Sequence, residues 1–133
     1  MSVARYVIDA LTLIYLVDND LAAAHSLVAP NSIRSEALGL LLGDVRDGTR
    51  SEQDARLAHD KITAVKIRLL GDRVSRSSAW RIARDHDWDT LRDAEYLAIT
   101  RLQADALVTI DPVLAARAEG IVSVAPLHAL FES

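Results

Sequence analysis

Two apolar runs near opposite ends of the chain, Tyr6-Val7-Ile8-Asp9 and Leu107-Val108-Thr109-Ile110-Asp111, each stop on an aspartate and lead into a helix-like segment. In an open parallel sheet, ligands bind outside the carboxyl ends of the strands, so these two acids can meet although the sequence holds them far apart. Hard divalent cations prefer oxygen ligands, and paired carboxylates at such a place suggest a divalent metal. Each acid also has an ordinary use. Asp9 is placed to N-cap the helix that follows, and Asp111 more so, because Pro112 suits the first helical position.

Two further acids strengthen the chemical reading. Asp93 follows Thr90 at the spacing of a variant capping box. On a helix, however, it begins the row Asp93, Tyr96, Leu97, Thr100, which faces the protein, and an inward carboxylate needs a cation or hydrogen-bond donors. Glu36 lies between a core-facing arc of Ile33, Ala37, Leu40 and Leu41 and a small-residue strip of Ser32, Ser35, Gly39 and Gly43. Two glycines on one strip predict that another backbone or a ligand approaches there, and Arg34 is a candidate partner for the acid. All four acids fall at strand ends or on helices that open from the same sheet edge.

The elements that must position them alternate. Strands are expected at Val3–Ile8, Ser26–Val28, Ile67–Leu70, Ala106–Ile110 and Ile121–Val124. Helices are expected at Leu11–Val17, from Asn31 or Ser32 to Arg46, from Ser51 on with Leu57, Ile62 and Val65 in it, at Ser77–Asp85, Leu91–Leu102 and Pro112–Glu119, with a short helical piece at Leu21–Ala24. Gly48 and Gly71-Asp72 supply turns, and Asp87-Trp88-Asp89-Thr90 is a loop. The pattern is that of an α/β protein with a parallel sheet covered on both faces, in one domain over residues 1–133.

Composition limits the chemistry. The chain has 133 residues, half of them hydrophobic, and no cysteine, which excludes disulfide frameworks, thiolate zinc sites and cysteine nucleophiles. His25, His59, His86 and His128 lack ligand spacing, so none is assigned to zinc. The formal net charge of −4 denies the whole chain the basic footprint of a protein that holds nucleic acid by charge alone. Bound metal at an acidic cluster would reconcile such a protein with an anionic substrate. Arg34, Arg84 and Arg92 are candidate rim contacts. Trp88, in the loop near Asp93, suits base stacking or, more simply, anchoring that loop to the core. No run approaches the roughly 20 apolar residues of a bilayer span, and Arg5 and Asp9 interrupt the apolar start, so a cytoplasmic, membrane-free protein is expected.

The quartet Asp9, Glu36, Asp93, Asp111 resembles the acidic set of the PIN domain family, especially the VapC-type toxins of bacterial toxin–antitoxin pairs. The best stretches are Val7-Ile8-Asp9-Ala10, Arg34-Ser35-Glu36-Ala37-Leu38, Arg92-Asp93-Ala94-Glu95-Tyr96-Leu97-Ala98 and Leu107 to Leu114. The resemblance implies a PIN-like three-layer fold with a central five-stranded parallel sheet, and a Mg2+- or Mn2+-dependent endoribonuclease. It also implies a homodimer, RNA as substrate and a cognate antitoxin as partner. By the same carry-over all four acids are catalytic and metal-binding, and Thr109 supports the site through its hydroxyl. The chain departs from the family pattern at Leu11, where a hydroxyl or Asn is usual two residues after the first Asp; the nearest hydroxyl, Thr12, comes one position later. Other readings are weaker. An aspartyl-phosphate phosphatase lacks its second aspartate, a phospho-receiver lacks an acidic pair after the first strand, and a PIN-like binding module with little or no nuclease activity is left open by Leu11.

Overall fold

A computed structural model describes residues 3–133. Five parallel strands, β1 (Arg5–Ile8), β2 (Ser26–Pro30), β3 (Arg68–Leu70), β4 (Ala106–Val108) and β5 (Val124–Ala125), form one sheet in the order β3-β2-β1-β4-β5. Helices α1 (Ala10–Asp18), α2 (Ile33–Asp47), α3 (Glu52–Ala64), α4 (Arg73–Asp85), α5 (Arg92–Gln103) and α6 (Pro112–Ala118) connect them, and a 3-10 turn at Leu127–Leu130 follows. The protein is a three-layer α/β fold with helices on both faces of the sheet. The helices α1, α2 and α3 pack on one another, while α5 lies across β2, β1 and β4 with α4 against it.

The sequence explains why the sheet is central. A strand covered on both faces must be apolar on both, and Val7, Ile8, Leu107 and Val108 are fully buried. Helix α5 is likewise sandwiched, so its apolar residues are not confined to one stripe: Ala94, Tyr96, Leu97, Ala98 and Ile99 are all buried. Apart from the Tyr96 hydroxyl, its buried polar groups are the side chains of Asp93 and Thr100, and Thr100 is satisfied by the Tyr96 carbonyl at 2.7 Å.

Strand order has a functional consequence. From β1 the chain moves outward through β2 to β3, then returns across β1 to place β4 on its other side. The connections leaving β1 and β4 therefore diverge, and a crevice opens at their carboxyl ends. Asp9 immediately follows β1 there, and Thr109 to Asp111 follow β4.

Several expected boundaries shift for local reasons. Helix α4 starts at Arg73 rather than Ser77, because Asp72 and Ser75 form a reciprocal capping box, with the Asp72 carboxylate accepting from Ser75 N–H at 2.8 Å. The last strand is Val124–Ala125, pairing Leu107 with Val124, and Ile121 instead packs beside the core. No helix forms at Leu21–Ala24. Thr90 caps nothing, since Leu91 holds the N-cap position of α5 without a side-chain bond. Gly48 at φ 79° closes α2, and Ser51 caps α3 by accepting from Asp54 N–H at 3.0 Å, both as expected.

Packing energetics should follow this burial. Leu107→Ala in the sheet centre is expected to lower stability by about 2–5 kcal/mol, whereas Leu42→Ala, 60% exposed on α2, should stay within about 0.5 kcal/mol in urea unfolding.

Candidate active site

Asp9 occupies the N-cap position of α1, but its side chain makes no cap bond. The carboxylate accepts instead from the Thr12 hydroxyl, one turn into the helix. That hydroxyl in turn accepts from the Ile110 N–H at 3.0 Å. A hydroxyl can donate once and accept twice, so Thr12 joins the end of β1 to the segment after β4 through both of its contacts. Asp9 is only 4% exposed. Burial raises its pKa, hydrogen bonds from Thr12 and Thr109 work against the rise, and the neighbouring Asp111 adds to it.

Glu36 sits in the first turn of α2, where a carboxylate complements the helix dipole. Tyr96 donates its hydroxyl to Glu36 Oε1 at 3.0 Å, and Arg92 Nη1 lies 3.7 Å from Oε2. Burial raises the Glu36 pKa, Tyr96 and Arg92 oppose the rise, and Asp9 and Asp93 reinforce it. The buried Tyr96 hydroxyl is itself pushed far above the ordinary phenol range, by burial and then by Glu36, so it remains a donor at neutral pH.

Asp93, 4% exposed in the first turn of α5, carries two arginine contacts. Arg117 Nη1 reaches Oδ2 at 2.9 Å and Arg92 Nε lies 3.3 Å from Oδ1. The Arg117 guanidinium also lies over the Trp88 ring, 4.7 Å from its centroid, which holds the cation in place through the ring's negative face. Asp111 does cap α6, accepting from Val113 N–H at 2.9 Å, and its own N–H donates to Thr109 Oγ1 at 3.0 Å.

The four acids line one small cavity of about 80 Å³, together with Leu11, Leu40, Arg92, Tyr96 and Leu114. Sequence reasoning thus placed all four acids on one pocket, and Thr109 beside it. Three expectations need correction. Arg34 does not pair with Glu36; it donates to the Val65 and Ile62 carbonyls at 2.7 and 3.4 Å, tying α2 to the end of α3. Of the three rim arginines, Arg92 lines the pocket, and Arg34 and Arg84 do not. A Cβ added at Gly39 or Gly43 would meet nothing within 4 Å, so no backbone of this chain approaches that strip.

Thr12 and Arg117 were missed as site residues. Thr12 had a signal, being the hydroxyl nearest Asp9 in sequence, one position beyond Leu11. Arg117 had none, because a pairing across 24 residues leaves no local pattern.

The donor set is all oxygen and suits a hard divalent cation. Asp9 has hydroxyl partners and, among the described residues, no cationic one, whereas arginines hold Asp93 and approach Glu36. Among the described residues, no three acidic or imidazole side chains are grouped closely enough to hold an ion as they stand. Direct coordination by three or more of them thus requires side-chain movement, and the cationic end best able to move is Arg92, whose side chain is 54% exposed.

The solved structure of PAE2754 from Pyrobaculum aerophilum is similar to this chain, with a TM-score of 0.74 and 24% identity over 97% of this chain and 95% of the other. That likeness shows the fold. No family model and no curated protein matches the chain.

Two outcomes test this electrostatic arrangement. Unfolded, Asp9 and Glu36 titrate near pH 4, and folded they titrate higher, so between those values the folded state holds more protons. Stability should therefore fall as pH rises through that window and remain lower above it. In chelator, Asp9→Asn is expected to melt above the wild type at pH 7 and to match it near pH 4; equal melting temperatures at both pH values would contradict a buried-charge penalty. Thr12→Val, which leaves Ile110 N–H and Asp9 without their shared partner, should cost about 1–3 kcal/mol in denaturant unfolding.

Proposed function

We propose that the chain is a divalent-metal-dependent endoribonuclease, of the VapC-like PIN type that its acidic quartet resembles. One observation carries the reading: carboxylates from four separate elements converge on one pocket at the sheet's switch point, and Asp9, as buried as Asp93, has no cationic partner among the described residues. A protein gains nothing in stability from burying such a group, so its retention points to a ligand.

In this reading Asp9, Glu36, Asp93 and Asp111 hold Mg2+ or Mn2+. The bound cation supplies Lewis-acid stabilisation of the phosphodiester as it is cleaved by water. The protein's own contributions are orientation and charge. Thr12 and Thr109 hold the Asp9 carboxylate, Tyr96 fixes Glu36, and Arg92, half exposed at the rim, exchanges its carboxylate contacts for a phosphate oxygen. The same reading includes a homodimer and a cognate antitoxin. The open groove between α2 and α3, about 630 Å³ and lined by Leu38, Gly39, Leu42 and Ala55, offers room for an apolar partner segment.

A second reading, a binding module without nuclease activity, draws on Leu11, which puts an apolar side chain on the pocket, and on the pocket's small volume. Purified protein and a mixed pool of structured RNAs distinguish the two. Cleavage is expected with Mg2+ or Mn2+, lost with chelator, and reduced by about 100-fold or more in Asp9→Asn and Asp93→Asn. Cleavage that survives both substitutions would sink the mechanism, and metal binding without cleavage would favour the binding module. Thr12→Val should weaken metal affinity by roughly 10–100-fold in calorimetry, the usual effect of losing a hydrogen bond behind a ligand.

A further inference from the structure

Helix α4 carries four arginines, Arg73, Arg76, Arg81 and Arg84, against a single acid, Asp85, in a chain whose formal charge is −4. At helical spacing, Arg73, Ser77, Trp80 and Arg84 form one stripe along the helix, with Arg81 beside it. The stripe runs the length of the helix, about 16 Å at 1.5 Å per residue. Its opposite side, Ser75, Ala79, Ile82 and Ala83, is buried, so the stripe faces outward. Arg73, Arg81 and Arg84 make no salt bridge among the described residues, unlike Arg50, Arg92 and Arg117.

Trp80 is the anomaly on this face. It is 62% exposed, whereas Trp88 packs against the core. Its flat ring stands among arginines. Ser77, Trp80, Arg81 and Arg84 line one shallow concavity, and Ser77 and Arg81 continue into a second with Arg73, Val74 and Arg101 of α5. A solvated cationic row needs no aromatic ring, and an apolar protein contact does not call for arginines on both sides of one. Phosphates together with an unstacked base require both.

We infer that the α4 stripe is a docking surface for single-stranded RNA, with Arg73, Arg81 and Arg84 on the phosphates and Trp80 stacking on a base. Its end lies close to the acidic pocket in chain path: α4 ends at Asp85, Trp88 follows and carries Arg117, and Arg117 contacts Asp93. The α4 surface thus supplies the basic footing that the acidic pocket lacks. As a substrate contact it rests on the nuclease reading, but as a binding surface it stands without it.

The test uses a labelled U-only RNA, too simple to fold, and the full chain in chelator, so that binding is read by anisotropy without cleavage. Trp80→Ala should weaken binding about tenfold. Arg81→Ala/Arg84→Ala should make the dependence of log affinity on log salt shallower by roughly 1.4, about 0.7 per lost phosphate contact. Every altered side chain is exposed, and circular dichroism checks that each variant is folded. Unchanged affinity in both variants overturns the proposal, even where Asp9-dependent cleavage of RNA persists. Conversely, Trp80-dependent binding, together with no cleavage of the mixed RNA pool when Mg2+ or Mn2+ is supplied, supports the surface and removes the nuclease reading. Conversion of a dimer to a monomer by Trp80→Ala in sedimentation would assign the face to a second copy of the chain and also overturn it, as would stronger binding of an acidic peptide than of the RNA.

Discussion

Burying a carboxylate where two strands part is the constraint on which the rest of this structure depends. Asp9 must leave water because β1 is the middle of a five-stranded sheet covered on both faces. An ionised group there costs several kcal/mol unless donors meet it. The molecule meets it with hydroxyls rather than with a fixed cation, and so the charge remains available. Thr12 does more than satisfy Asp9, since its second contact reaches Ile110 and, beside the backbone pairing of Ile8 with Val108, ties the start of α1 to the segment that follows β4.

Around that fixed point the other acids are held by different means. Glu36 is fixed by a phenol whose own proton is locked on by burial, and Asp93 by arginines that reach it from solvent. The site therefore combines a rigid inner edge with an exchangeable outer one. Burial raises the pKa values of Asp9 and Glu36, and repulsion from neighbouring carboxylates adds a smaller rise in both.

The α/β alternation was legible because strands buried on both faces are uninterrupted apolar runs and helices between them carry caps. Asp93 was legible through its row, since Tyr96, Leu97 and Thr100 are all buried as helical spacing requires. Glu36 was legible as an acid next to the buried arc of Ile33, Ala37 and Leu41, whereas Leu40 is partly exposed and no other backbone of this chain approaches the adjacent glycines. Leu11 drew attention to a missing hydroxyl, whereas the first turn of α1 presents Thr12 to the same carboxylate, because a cap residue is reachable from more than one position along the turn. Pairings such as Arg117 with Asp93, or Arg34 with the end of α3, depend on how distant helices pack and have no periodicity to read.

Asp111 serves two masters. One of its oxygens caps a helix of seven residues, and the same carboxylate faces the pocket. That helix also bears Arg117. Any ligand that drew the carboxylate away from Val113 would uncap α6 at one end while competing for the acid that anchors its arginine, so both ties would loosen together. The firmness of α6 then becomes a gauge of what the pocket holds, legible from the outer surface of the protein.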